Sequence, residues 1–162
     1  MDLLVKLYEL PPFEPAIEKV EAAGARIHRP FGPERSAVAG WVAANFNERW
    51  SSEAEMAFSC GNPVTCFVAL DGNSDIIGFA CYNTTFRGFF GPTGVANEWR
   101  GRGIGTALLI RSLHAIRDDG HAYGIIGFSA LDKFYQDTVG ALPIPDSEPG
   151  AYGGRIRFDA EE

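Results

Sequence analysis

Cysteine is scarce in this chain. The three present, Cys60, Cys66 and Cys81, are odd in number, and no pair has C-x-x-C spacing. That excludes a disulfide scaffold. It also leaves no zinc quartet, because His28, His114 and His121 lie apart and away from paired cysteines. No metal is expected, and the thiols read as small buried hydrophobes in a reducing compartment. Long apolar stretches are missing too. Nowhere do about 18 apolar residues run uninterrupted, so neither a spanning helix nor a membrane partner is expected. The start, Met1-Asp2-Leu3-Leu4-Val5-Lys6, lacks the basic region and long apolar run of a secretory leader, which makes the cytoplasm the expected location. Basic residues are in deficit, 14 against 21 acidic, for a net charge of −7. Such a surface repels a phosphate backbone, so no nucleic-acid partner is expected, and it favours a cationic substrate such as an amine.

What the chain has is the content of one globular domain. Its 162 residues, 46% hydrophobic, suffice to bury a core without staples. The hydrophobic pattern predicts a strand over Leu3 to Leu10, stopped by Pro11-Pro12, and a helix over Phe13 to Ala23, stopped by Gly24. A short strand over Ala25 to Arg29 follows. Pro33 opens a second helix bearing Val38, Trp41, Val42 and Phe46. A third helix starts from Ser52, where Ser52-Glu53-Ala54-Glu55 has capping-box form. Strands over Val64 to Leu70 and Ile76 to Asn83 flank a turn-rich loop at Asp71 to Asp75, and a third runs from Phe86 to Val95, broken at Gly91-Pro92. Gly103 to Asp119 reads as a long helix with an apolar face, and with Arg111, His114 and Arg117 on the opposite side. Tyr123 to Phe128 is a buried strand. Leu131, Phe134, Tyr135 and Thr138 lie at helical spacing before Gly140, and Ala141 to Ile144 and Gly154 to Phe158 are closing strands. The order predicts an α+β fold, a mixed, mostly antiparallel central sheet flanked by helices. Residues 1–162 form a single domain, in which residues 1–24 are an N-terminal strand-helix extension.

The most informative stretch is Val95-Ala96-Asn97-Glu98-Trp99-Arg100-Gly101-Arg102-Gly103-Ile104-Gly105-Thr106, a strand, a glycine-rich turn and a helix start. Glycines admit close approach of a ligand to the backbone, and the unpaired N–H groups of a first helical turn attract anions. Arg100 and Arg102 add positive charge. A dinucleotide fingerprint fails, because the third glycine of G-x-G-x-x-G falls on Thr106 or Leu108, and a Walker loop fails for want of Gly-Lys-Ser/Thr.

Arg100-x-x-Gly103-x-Gly105 resembles the Q/R-x-x-G-x-G/A signature of the GNAT superfamily of acyl-CoA-dependent N-acyltransferases. Phe134-Tyr135-Gln136-Asp137-Thr138-Val139-Gly140-Ala141 is similar to that superfamily's F-Y-x-x-x-G-F segment, with one extra residue between tyrosine and glycine. The run Gly91-Pro92-Thr93-Gly94-Val95 with Val139-Gly140-Ala141 resembles a subgroup of small bacterial members without a settled substrate. Asn97 replaces a usual proline, and Ser129 stands where many relatives have asparagine.

The resemblance implies a GNAT-like fold and an N-acetyltransferase that moves an acetyl group from acetyl-CoA to a primary amine by direct attack. It implies that pantetheine lies along Gly94, Val95 and Ala96. The pyrophosphate then sits on the turn N–H groups of Arg100, Gly101, Arg102, Gly103, Ile104, Gly105 and Thr106. Tyr135 becomes the acid for the leaving thiolate, with the N–H of Val95 or Ala96 as oxyanion donor. The base is open among Glu53, Glu55, Glu98, Asp132, Tyr82 and a water chain. Trp50, Glu53, Phe86 and Phe90 are the candidate substrate residues, with Trp41, Phe46 and Arg87 as further lining. The implied partner is a small-molecule amine; a homodimer is an open alternative to a monomer. A non-catalytic CoA-binding sensor of the same fold is the competing reading.

Overall fold

A computed structural model describes residues 1–157. In chain order the elements are β1 (Leu3–Lys6), α1 (Glu14–Ala22), β2 (Arg26–His28), α2 (Arg35–Asn45), α3 (Glu48–Ala57), β3 (Cys66–Leu70), β4 (Ile76–Tyr82), β5 (Phe89–Val95), α4 (Ile104–Asp118), β6 (Tyr123–Ile126), α5 (Asp132–Val139) and β7 (Leu142–Pro143). The strands form one sheet in the order β2-β3-β4-β5-β6-β1-β7. Its neighbours are antiparallel except β5 and β6, which run parallel. The expected mixed, mostly antiparallel α+β sheet is what forms. Among the described residues no helix is long and apolar enough to cross a membrane.

Local chemistry sets most boundaries. The β3–β4 hairpin closes because the Asp71 carboxylate accepts the N–H groups of Asn73 at 2.8 Å and Asp75 at 3.0 Å. The third helix begins one turn earlier than the Ser52 box predicts. The Asn47 side chain accepts the Trp50 N–H at 2.9 Å, and this cap leaves Ser52 and Glu55 inside the helix. Ser129-x-x-Asp132 is not a capping box either, since the Ser129 hydroxyl accepts from Leu131 and α5 has no side-chain cap.

The N-terminal strand is shorter than predicted. It ends at Lys6, and a 3₁₀ turn, Leu7–Glu9, follows. It lies between β6 and β7 and pairs Leu3 with Ile126 and with Pro143. At the other end, residues 154–157 form no strand, and Phe158 of the predicted closing strand lies outside the described residues.

Each face of the sheet carries its own core. α1, α4 and α5 cover one face over Leu3, Val5, Phe67, Leu108, Leu113 and Ile116, and α2 and α3 cover the other over Val68, Phe79, Cys66 and Cys81. Cys60 departs from the expectation of burial and is exposed. α4 has no solvent side at His114, contrary to its helical pattern. The segment leading into α1 covers it, and the imidazole Nε2 sits 2.7 Å from the Pro11 carbonyl, with the ring edge-on to Phe13.

Candidate active site

The sheet opens where its one parallel pair ends. β5 and β6 are in register only at Phe89–Ile125 and Phe90–Ile126. Beyond them come Gly91, with φ +118°, and Pro92, which has no N–H to give a ladder. On its other edge β5 stays bonded to β4, and the Ala96 N–H donates to the Ile77 carbonyl at 2.8 Å. Ala96 therefore has no free N–H for an oxyanion. The alternation of an antiparallel ladder turns the Val95 N–H the other way, toward the gap.

The glycine turn lies at the end of β5 and leads into α4. Gly101 and Gly103 have φ of +77° and +84°, the left-handed region that favours glycine, whereas Gly105 is helical and has open space at its Cβ position except for a Val95 methyl at 3.8 Å. The first bond of α4 runs from the Ala107 N–H to the Gly103 carbonyl. The amides of Ile104, Gly105 and Thr106 thus belong to the unpaired first turn. The arginines brace the loop. Arg100 Nε donates to the Val95 carbonyl at 3.3 Å, while Arg102 donates to the Glu98 carbonyl at 3.2 Å and lies 4.5 Å from the Trp99 ring centre. It is the Glu98 backbone, not its carboxylate, that meets an arginine. A third cation, Lys19 of α1, lays its side chain 3.0 Å from the Cβ position of Gly103. Sequence reasoning missed Lys19, for it is an ordinary helix-surface lysine until α1 packs on α4.

Next to the gap lies a cavity of about 910 Å³, lined by Trp50, Glu53, Thr85, Phe90, Phe128 and Tyr152 among others. Glu53 accepts a hydrogen bond from the Thr85 hydroxyl. Burial raises its pKa above the ordinary carboxylate value, while hydroxyl donors Thr85 and Thr84 pull it partly back. Burial, then the charges of Asp2 and Glu53, push Tyr152 up to about 12. The structure thus brings together Trp50, Glu53 and Phe90 of the predicted substrate residues. Phe86 does not line the cavity; it is 45% exposed and packs edge-on against Phe89 and Tyr152. Trp41 and Phe46 are in the aromatic core beside Phe79. Tyr82 and Arg87 line a separate pocket, so Tyr82 is no base for this site. Glu55 is exposed on α3 and does not reach the cavity lining.

Tyr135 projects from α5 and is buried, with its ring edge-on to Phe90 at 6.4 Å. Its hydroxyl has no hydrogen-bond partner among the described residues, and burial raises its pKa above the usual phenol value. Phe90 thus both lines the cavity and touches Tyr135, which does not itself line the cavity.

The model of the acetyltransferase (GNAT) family matches residues 35–141, well over half of the chain, and the chain belongs to that family. No curated protein matches it. The fold is shared with solved structures of low identity. The glucosamine N-acetyltransferase region of a fungal multi-domain GH3 β-N-acetylglucosaminidase has a TM-score of 0.71 at 19% identity, covering 87% of this chain and 19% of that one. A GCN5-related N-acetyltransferase from Sphaerobacter thermophilus has a TM-score of 0.66 at 22% identity, covering 87% and 47%. One from Kribbella flavida has a TM-score of 0.52 at 18% identity, covering 72% and 33%. The chain thus spans less than half the length of each.

Proposed function

We propose that the protein transfers an acetyl group from acetyl-CoA to the primary amine of a small molecule by direct attack. The reading is carried by the gap between β5 and β6, which opens next to the glycine turn on one side and the Glu53 cavity on the other. The turn suits a pyrophosphate. It offers the unpaired amides of the first turn of α4, the cations Arg100, Arg102 and Lys19 around it, and no side chain at Gly105. Val95 and its neighbours Gly94 and Ala96 would line the pantetheine. Acetyl-CoA supplies the activated acyl group.

The protein's own groups then have distinct tasks. Glu53, with its raised pKa, takes the proton from the attacking amine, directly or through a water. The Val95 N–H donates to the acyl oxygen as negative charge grows on it. The C–S bond breaks as the amide bond forms, and Tyr135 gives its proton to the departing thiolate. A buried phenol with no other partner is held protonated for that task. The acceptor is small and carries an anionic group as well as an amine. Arg155 and Arg157 line the same cavity as Glu53, so the chain's negative charge is not repeated there. An amino acid fits this description.

Two measurements test the reading. Acetyl-CoA and CoA should raise the melting temperature and NAD should not; a ligand at 100 times its Kd adds about 2.7 kcal/mol. Thiol release across a panel of amines should be greatest with acceptors bearing a carboxylate or phosphate. A chain that no CoA species stabilises at millimolar concentration would overturn the proposal.

A further inference from the structure

A second pocket, of about 720 Å³, opens at the far end of α4 from the glycine turn. Arg111, Ala115 and Asp118 line it from that helix, while Arg29, Tyr82, Arg87 and His121 close its other walls. Arg29 Nη1 donates to the Val64 carbonyl and to the Tyr82 hydroxyl, both at 2.6 Å, and its guanidinium carbon is 4.4 Å from the centre of the Phe67 ring. The Arg111 guanidinium is 4.8 Å from the same ring and 4.9 Å from that of Phe13. Two half-buried guanidiniums thus share one aromatic ring, with a third, that of Arg87, exposed at the rim.

Among the described residues, none of the three arginines is within ion-pair reach of a carboxylate. The two acids on the lining make their direct contacts outside the cluster. Asp118 faces Arg117 at 3.7 Å, and Asp119 accepts from the Asn83 amide at 3.1 Å. Burial, then the charge of Arg29, disfavours the charged form of Arg111, while Tyr82 and the Asp118 carboxylate, at longer range, favour it. In a chain of net charge −7, carboxylates are plentiful, yet among the described residues Asp118 and Asp119 reach the pocket wall without forming an ion pair with any of the three arginines. Buried charge is tolerated when a partner of opposite sign completes it.

We propose that this pocket is a second ligand site for a small dianionic oxyanion, a phosphate or sulfate group either free or carried on a small molecule. The guanidinium forks suit such oxygens, and stacking on Phe67 fixes where both forks sit. The Tyr82 hydroxyl accepts from Arg29, which leaves its own proton to donate to the ligand. The exposed Arg87 lies where the rest of a larger ligand would leave the pocket.

Inorganic phosphate is the probe, titrated calorimetrically and by melting temperature at constant ionic strength set with chloride. Arg111→Met keeps the stem between Phe13 and Phe67 and removes the fork. It should weaken phosphate binding at least tenfold, and without phosphate it should melt no lower than wild type. Arg102→Ala, at the glycine turn, should bind phosphate here as wild type does. Arg87→Ala at the exposed rim should cost several-fold and settles the matter even if Arg111→Met folds poorly. Equal phosphate affinity in wild type and both pocket variants would overturn the proposal. So would a phosphate effect no larger than that of chloride, or one lost only in Arg102→Ala.

Discussion

The ring of Phe46 fills the space in which a Cβ on Gly94 would stand. Phe46 follows α2 directly and packs against Trp50 at 5.1 Å and Phe79 at 5.7 Å, so it has little room to yield. Gly94 thus has a packing reason for its missing side chain on the sheet face opposite α4. Gly94→Ala should cost about 1–3 kcal/mol, as overpacking does. Phe46→Leu added to it should recover part of that loss in a denaturant titration. Strictly additive losses would show that the two residues do not share the space.

The glycines of the turn should separate by role. Gly103 is left-handed and has Lys19 against its Cβ position, so Gly103→Ala strains the backbone by about 1–2 kcal/mol and lowers stability along with binding. Gly105 is helical, with room for a side chain. Gly105→Val should fold as wild type and lose acetyl-CoA binding, because its side chain stands over the first-turn amides. Isothermal titration and a melting curve on both variants check the contrast; a Gly105→Val protein that binds normally would remove the turn from the site.

The acid limb of the pH–rate profile should report Glu53. Activity needs its carboxylate, so kcat/KM should rise with pH through a value above that of an ordinary glutamate. Thr85→Val removes the donor that favours the charged form, and the limb should move to still higher pH. Stability runs the opposite way. A carboxyl whose pKa is raised by folding favours the folded state while protonated, and this advantage is lost as pH rises through the raised value. Glu53→Gln should therefore be inactive yet gain stability over wild type at neutral pH, with the two converging in acid. An unmoved limb in Thr85→Val would assign it to another group.

Tyr135→Phe should lower kcat by about 10²–10⁴-fold and leave acetyl-CoA affinity unchanged, the pattern of an interaction made only in the transition state. Because the hydroxyl has no partner among the described residues, the melting temperature should hold. A variant with full kcat, measured where chemistry limits turnover, would return Tyr135 to the role of a core aromatic beside Phe90.

The legible parts of this chain were those whose signal is local. The strand–turn–helix at Val95 to Thr106 carries its glycines in a row, and the β3–β4 loop carries its own Asp71 cap. The Glu53 cavity was half legible: Trp50, Glu53 and Phe90 converge, but Tyr152 and Phe128 come from distant segments whose sequence names no purpose. His114 and Arg111 were misread because helical periodicity shows which residues share a face, not whether a distant segment, here Pro11 to Phe13, covers it. Ser52 misled for a related reason. A capping box in mid-helix looks like one at the start, and Asn47 a turn earlier decides between them.

The placement of β1 bears on how the chain reaches this structure. Residues 3–6 precede the other strands of this sheet in the chain, yet they pair with residues 123–126 and 142–143. Until those appear, the first strand has no partner. Contacts so distant in sequence delay folding, because the loop between them must close before they contribute anything. On a ribosome, β2 to β5 and the helices around them can associate while β1 waits. The central parallel pair forms only when β6 emerges, and β1 then docks on it. The opening beside Val95 is therefore bordered by the last-assembled part of the sheet.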